Sequence, residues 1–409
     1  MTRRLAIPKA LACALTVLMA VWSAPQHCEA SPYKVTVLGE KTRAFALNDE
    51  GVLAGAFQVP RLGGFGFLYD SNPGGGVTVM GITLPTDSGP GSYDANYSIS
   101  SLNNHGQAVG YDVDTREPFL FDTRTGAPTP LSFSSDHMQA ALRITESGAI
   151  YGTRIFGDPE DPSPLYYPYV YRDGASQVLT TPPRMAGARL IAADDSGRFL
   201  FLASRHLEGV QSYSQPFLYD NGEWTDLGDH FLNQYDGRPM NAHGDVVGST
   251  PFAGRQTPHA VLIPNGDEAV KLGELPGHSE SAAMAINNDG WIVGHSGNPA
   301  LSDYRGFLYR DGVMIDLNDL VELADGWLIT GARSINDRGQ ILATMRDQDA
   351  QNSLEILLTP GDQPTPPDFV LPPMPVPEPS TWVVFALAAV GLGCRETKRR
   401  RRNRTTRGL

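Results

Sequence analysis

The chain has 409 residues and a formal charge of −13, with residues 1–30 at +2 and residues 377–409 at +6, which leaves −21 on residues 31–376. A surface that acidic excludes nucleic acid as the expected partner, because phosphate contacts need basic patches. Cys13, Cys28 and Cys394 all fall outside 31–376, which excludes a disulfide framework or a cysteine-based zinc site there, so the middle of the chain must be held by its core.

Residues 1–30 read as a secretory signal peptide. Arg3, Arg4 and Lys9 form the charged start, Ala10–Trp22 the apolar stretch, and Cys28-Glu29-Ala30 puts small residues where signal peptidase needs them. Cleavage between Ala30 and Ser31 is expected, with Ala24 as the alternative. The apolar run is short for a membrane span.

The next element is the strand Val35-Thr36-Val37-Leu38, followed by Gly39. It resembles the last strand of a unit that then recurs seven times. The clearest copy runs from Ala283 to Leu317. It predicts strands at Ala283–Ile286, Trp291–Gly294, Gly306–Tyr309 and Val313–Leu317, with turns at Asn287-Asn288-Asp289-Gly290 and Arg310-Asp311-Gly312. The first-turn glycine recurs as Gly51, Gly106, Gly148, Gly197, Gly244, Gly290 and Gly339, at a mean spacing of 48 residues. Three residues before each sits Asn48, Asn103, Thr145, Asp194, Asn241, Asn287 or Asn336, all suited to opening a turn.

The third strand recurs seven times, for example as Phe67-Leu68-Tyr69, Phe217-Leu218-Tyr219 and Ile356-Leu357-Leu358. The fourth recurs only six times in place. The missing one is Val35–Leu38 at the N-terminus. A chain that starts on a fourth strand and ends on a third can close a ring. The expected fold is therefore all-β: a seven-bladed β-propeller of four-stranded repeats over residues 31–360, with the N-terminal strand completing the last blade.

Motifs with catalytic chemistry are sparse. The nine histidines are scattered, and His-Glu-x-x-His is absent. Gly294-His295-Ser296-Gly297 lacks the Gly-x-Ser-x-Gly frame and the strand–helix context of a nucleophile elbow. Acidic clusters lie between second and third strands. Asp112-Val113-Asp114, Asp158, Glu160 and Asp161, and Asp347 and Asp349 offer oxygens of the kind calcium takes. No full twelve-residue calcium loop is present, and a solvated acidic loop is the ordinary reading; no other cofactor is expected. Tyr166-Tyr167-Pro168-Tyr169, with Tyr93 and Tyr97, could face a sugar, while Tyr169 also reads as third-strand core.

Residues 361–376 are rich in proline and polar residues, a semi-rigid spacer of roughly 50 Å at ~3.1 Å per residue. Residues 377–409 hold Pro377-Glu378-Pro379, an apolar run over Trp382–Gly393 and a basic tail. That order reads as a short transmembrane helix with its tail in the cytoplasm. It resembles the PEP-CTERM sorting signal. The resemblance implies recognition by exosortase, a membrane transpeptidase, near Pro377, Glu378 and Pro379. It also implies a Gram-negative source that makes exopolysaccharide, and transient anchoring in the inner membrane before the protein reaches the cell surface. The strings Ala-x-x-Ile-Asn-x-x-Gly, Phe-Leu-Tyr-x-x-Gly and Asp-Leu-Gly over roughly 35–360 resemble the HAF-repeat family of bacterial extracellular proteins. The resulting expectation is an exported, exosortase-sorted surface or matrix protein, a non-enzymatic binding or structural module associated with exopolysaccharide. The alternative is a propeller enzyme, hydrolase or lyase, acting on polysaccharide.

Overall fold

The computed structural model describes residues 33–59, 63–79, 97–112, 117–123, 128–131, 139–156, 165–183, 185, 187–204, 214–228, 230, 238–250, 257–347 and 352–371. Seven antiparallel sheets follow one another: blade 1 spans residues 42–79, blade 2 97–130, blade 3 139–178, blade 4 187–226 and blade 5 240–273, each a meander, and blades 6 and 7 follow. Blade 6 consists of Glu280–Ile286, Ile292–Asn298, Asp303–Arg310 and Val313–Asp316, the four strands expected from its sequence, the first three longer than expected and the fourth one residue shorter. Blade 7 takes Trp327–Ile335, Ile341–Asp347 and Ser353–Pro360 from the end of the repeats. Its fourth strand is Tyr33–Val37, with Val35 opposite Leu358 and Val37 opposite Ile356. Ring closure by the N-terminal strand is thus as the repeat count predicts, and the fold is a seven-bladed β-propeller. Among the described residues, helix is limited to three short 3-10 turns, and no helix is long and apolar enough to cross a membrane.

The second strands show why the blades stack. In blade 6, Ile292 packs toward blade 5 and Val293 toward blade 7. In blade 7, Ile341 and Ala343 face blade 6 while Leu342 faces blade 1. Both faces of a blade are buried, so these strands read as unbroken apolar runs instead of alternating ones. Seven apolar clusters result, each joining two neighbouring blades, so no blade has a core of its own. The outer strands are only three to five residues long, which keeps the exposed sheet edges short.

Six innermost strands share a feature that simple alternation misses. Their register slips at Phe45, Ser100, Leu142, Ile191, Met284 and Arg333, each three residues before its turn residue. A residue spacing of three would place two side chains on opposite faces of a regular strand. The bulge restores them to the same side: Ala283 and Ile286 are both buried, as are Ala332 and Ile335. Blade 5 departs from the pattern. Its described sheet has three strands, Val246–Ser249, Ala260–Ile263 and Val270–Gly273, and its inner segment is reduced to one bridge between Met240 and Val246. Pro239 lies in that segment and has no amide hydrogen for a ladder.

The segment after the last strand differs from a free spacer over its first eleven residues. Residues 361–371 are seated on the propeller, with Phe369 and Leu371 against the cluster between blades 7 and 1.

Removing residues 31–39 would leave Ser353–Pro360 as an unpaired edge next to fully buried Ile356, Leu357 and Leu358. The shortened protein is expected to melt earlier and to self-associate in sedimentation velocity. A monomer that melts like the parent would contradict the closure.

Candidate functional site

The first turn of every blade lies at one end of the ring axis. All seven turn glycines named from the sequence have a left-handed φ, from 73° at Gly339 to 89° at Gly197. Within each turn the glycine amide donates to the carbonyl of the residue three before it, as in Gly290 to Asn287 at 3.1 Å. The asparagine side chain then acts in two directions. Its Oδ1 accepts the amide at the start of the next strand: Val52 to Asn48 at 2.7 Å, Trp291 to Asn287 at 2.8 Å and Gln340 to Asn336 at 2.8 Å. Its Nδ2 donates to the backbone carbonyl of the matching residue in the next blade. These bonds run Asn241 to Asn287 (3.3 Å), Asn287 to Asn336 (3.1 Å), Asn336 to Asn48 (2.8 Å), Asn48 to Asn103 (2.9 Å) and Asn103 to Thr145 (3.1 Å).

A second ring is built from the following residue of each turn. The amide of Asn288 donates to Asp337 Oδ1 at 2.9 Å, that of Asp337 to Asp49 Oδ1 at 3.0 Å, and that of Asp49 to Asn104 Oδ1 at 2.8 Å. Asn104 donates onward to Glu146 Oε2 at 2.9 Å, Glu146 to Asp195 Oδ2 at 3.0 Å, and Ala242 to Asn288 Oδ1 at 2.8 Å. The step from Asp195 to residue 242 is missing because alanine has no acceptor. Sequence reasoning saw these residues as turn formers and missed the links between blades. The available signal was asparagine at five of seven positions, since only a primary amide donates and accepts at once.

The rings frame the mouth of an axial cavity of about 440 Å³, lined by residues of all seven blades. The inner-strand bulges bring Phe45 and Ser100 to it, and Arg238 stands at the equivalent place in blade 5. Arg238 reaches over the axis to blade 1, its Nη1 3.3 Å from Asp49 Oδ1, and keeps 39% of its side chain exposed. Arg143 holds its neighbours through backbone carbonyls, Nε to Ile191 at 3.1 Å and Nη1 to Ser100 at 3.2 Å.

The carboxylates here are not alike. Burial pushes the Glu146 carboxyl above the usual glutamate range, against the pull of the Asn104 amide. Burial also acts to raise Asp195, but hydrogen bonds from the Ser147 and Thr145 side chains and from the Ser147 and Glu146 amides outweigh it and hold that carboxyl low.

Of the candidate cation ligands, Asp347 ends a second strand at the far end of blade 7, and its carboxylate receives the Asn352 amide at 3.3 Å and Asn352 Nδ2 at 2.6 Å. Asp158, Glu160, Asp161 and Asp349 lie outside the described residues, as do Ala30, Ser31, Pro377, Glu378 and Pro379. Among the described residues no group of three or more His, Cys, Asp or Glu side chains is arranged to hold a metal. Tyr169 is fully buried third-strand core.

One arrangement looks catalytic. Ser296 Oγ is 3.0 Å from His278 Nδ1, and His278 Nε2 is 3.6 Å from Asp303 Oδ2. Ser296 is wholly buried, accepts the Leu275 amide at 3.1 Å and lies 3.1 Å from the Glu280 carbonyl as donor. It is a brace between blades 5 and 6, closed to substrate.

Residues 375–401 match the PEP-CTERM protein-sorting motif. The chain therefore carries the signal of an exported protein handled by exosortase. Among curated proteins, no sequence matches this chain. The propeller is similar to the β-propeller domain of the Trilobed protease from Pyrococcus furiosus, with a TM-score of 0.52, 9% identity, and coverage of 85% of this chain and 99% of that one. It is also similar to acylaminoacyl peptidase from Pyrococcus horikoshii, with a TM-score of 0.53, 10% identity and 80% of this chain covered, but it spans only 52% of that enzyme. At such identities the likeness concerns the fold alone.

Asn336 is completely buried, and its amide donates both to Asn48 O and to Gln340 Oε1 at 2.8 Å. Asn336→Asp turns both donors into acceptors facing acceptors. A loss of about 1–3 kcal/mol is expected in denaturant unfolding. An unchanged midpoint would remove the asparagine ring from the account of stability.

Proposed function

We propose that the mature protein is a non-enzymatic surface propeller that holds matrix exopolysaccharide at its axial mouth. The observation that carries this reading is the mouth itself: a cavity of mixed lining with carboxylates, side-chain amides and a half-free guanidinium around one opening. Sugar hydroxyls are both donors and acceptors, and such a mixture satisfies them. The carboxylates suit anchoring better than proton transfer, because Asp49, Glu146, Asp195 and Asp337 are each already held by a backbone amide from the neighbouring blade. The sorting motif supports a surface address, and the HAF-like repeats agree with an extracellular Gram-negative setting. Signal peptidase at Ala30–Ser31, exosortase at the C-terminal motif and passage through the inner membrane belong to the same reading.

One observation favours the enzyme alternative. Glu146 and Asp195 line one cavity, the first shifted toward holding its proton and the second toward losing it, as an acid and a base would be.

Retention of the mature protein on the organism's own exopolysaccharide separates these readings. Arg238→Ala should weaken retention about tenfold or more, the worth of hydrogen bonds to a charged group, with the melting temperature nearly unchanged. Retention equal to the parent would remove the mouth as the binding site. Loss in an Asp158→Asn, Glu160→Gln, Asp161→Asn chain instead would move binding to that loop. Release of reducing ends by the parent, abolished by Glu146→Gln, would establish the enzyme.

A further inference from the structure

The second ring breaks at one step. In the other six steps the amide of a turn residue donates to a side-chain oxygen of the next blade. Four of those oxygens belong to carboxylates, on Asp337, Asp49, Glu146 and Asp195. The Asp195 amide has no such acceptor among the described residues, because Ala242 holds the matching place in blade 5. Both residues line the axial cavity. Alanine also leaves room there that a longer side chain fills in the other blades.

Four residues before Ala242 stands Arg238, in the wall of the same cavity. Among the described residues its guanidinium has one partner, Asp49 Oδ1, 3.3 Å from Nη1; Nε and Nη2 have none. The break therefore offers a backbone amide and two guanidinium nitrogens as donors. The carboxylates beside it are engaged elsewhere. Asp194 accepts the Arg198 amide at 3.0 Å and lies 3.6 Å from Arg198 Nε. Asp195 turns both oxygens to blade 3, Oδ2 to the Glu146 amide at 3.0 Å and Oδ1 to the Ser147 amide at 3.1 Å.

We infer that the break between blades 4 and 5 is a subsite for acidic sugar: the carboxylate of a uronic acid unit takes the place of the missing side chain and accepts from the Asp195 amide and the Arg238 guanidinium. A carboxylate is an acceptor only, so it suits a site of unused donors, and it matches the planar fork of arginine. A sugar hydroxyl is the poorer occupant, because hydrogen bonds between charged partners are roughly twice as strong as neutral ones. The charge of −21 on residues 31–376 opposes the approach of an acidic polymer. At physiological ionic strength, however, exposed charges more than about 8 Å apart are largely screened, so the contacts at the subsite decide. The inference rests on the reading of the mouth as the polysaccharide site and narrows its ligand.

The test titrates the mature protein with β-1,4-linked triglucuronate, with cellotriose, which carries a hydroxymethyl group in place of each carboxylate, and with sodium acetate. The Asp195 amide is followed by nuclear magnetic resonance. Triglucuronate should bind about tenfold or more tightly than cellotriose, the worth of hydrogen bonds to a charged group, and should shift the Asp195 amide. Ala242→Asn supplies the acceptor that Asn104 and Asn288 supply elsewhere in the ring, without adding charge. It should slow exchange of the Asp195 amide and remove the preference for triglucuronate, with cellotriose binding unchanged. Equal binding of the two trimers by the parent would overturn the inference and leave the mouth a sugar site. So would a preference that persists in Ala242→Asn with a slowed amide, or in Arg238→Ala. Acetate binding as tight as that of triglucuronate would overturn the saccharide assignment. Binding of neither trimer would also overturn the inference; if Arg238→Ala were then retained on exopolysaccharide like the parent, the reading of the mouth would fall with it.

Discussion

The closed ring depends on one side-chain property: a primary amide is acceptor and donor at once. At the start of five of the seven inner turns, the asparagine oxygen completes its own turn, and the asparagine nitrogen reaches the next blade. Local folding and ring assembly are thereby linked in one residue. Aspartate at that place could close the turn but not pass the bond on. The carbonyl that receives each bond belongs to the matching turn residue of the next blade, so the register of one blade sets that of its neighbour. Apolar clusters supply the bulk of the attraction between blades, but they are non-directional. The amide ring sets the angle.

Blade 4 shows what happens where the amide is absent. Asp194 occupies the asparagine place and donates nothing to blade 5. Four residues later, where Gln107 and Gln340 accept from their asparagines, stands Arg198, whose Nε is 3.6 Å from Asp194. The polarity of the side-chain pair is reversed, while the turn itself is still closed by the Arg198 amide donating to Asp194 Oδ1 at 3.0 Å. The link to blade 5 is lost in both rings, since Ala242 also lacks an acceptor. Blade 5 is the one with the shortest inner ladder and with Arg238 reaching over the axis to Asp49. That ion pair ties blade 5 to blade 1 at the point where its bond to blade 4 is missing. It is half-exposed, so salt screens it and its contribution to stability is small. Its guanidinium, 39% exposed, is accordingly open to a ligand at the mouth.

Much of the architecture was legible in the sequence. The glycine spacing gave the repeat number, and the displaced strand Val35–Leu38 gave the closure of the last blade, where it lies against Ile356–Leu358. Both are local signals repeated many times. What was hidden depends on neighbours in space. The spacing of three in Ala-x-x-Ile-Asn already implies a bulge, because an even spacing would be needed for two inward side chains on a regular strand. It is hard to see in any one copy, because a strand of six residues offers too few alternations to show the break. The second turn residue varies among Asp, Asn, Glu and Ala, so its shared role appears only when the blades stand side by side. The cavity was illegible for the same reason: its walls come from seven places up to 292 residues apart, from Phe45 to Asp337. Residues 361–371 read as a spacer by composition, and the apolar pair Phe369 and Leu371 was the sign that they dock.

The central claim is that the turn residues bind the blades to one another. Amide hydrogen exchange under native conditions tests it most directly. The amides of Asp49, Asn104, Glu146, Ala242, Asn288 and Asp337 each donate to the next blade, and all should exchange slowly and together. The Asp195 amide, which faces Ala242 in the second ring, should exchange far faster although its turn has the same form. Equal rates at all seven positions would contradict the account, because the turns would then be protected by their own folding and not by the ring.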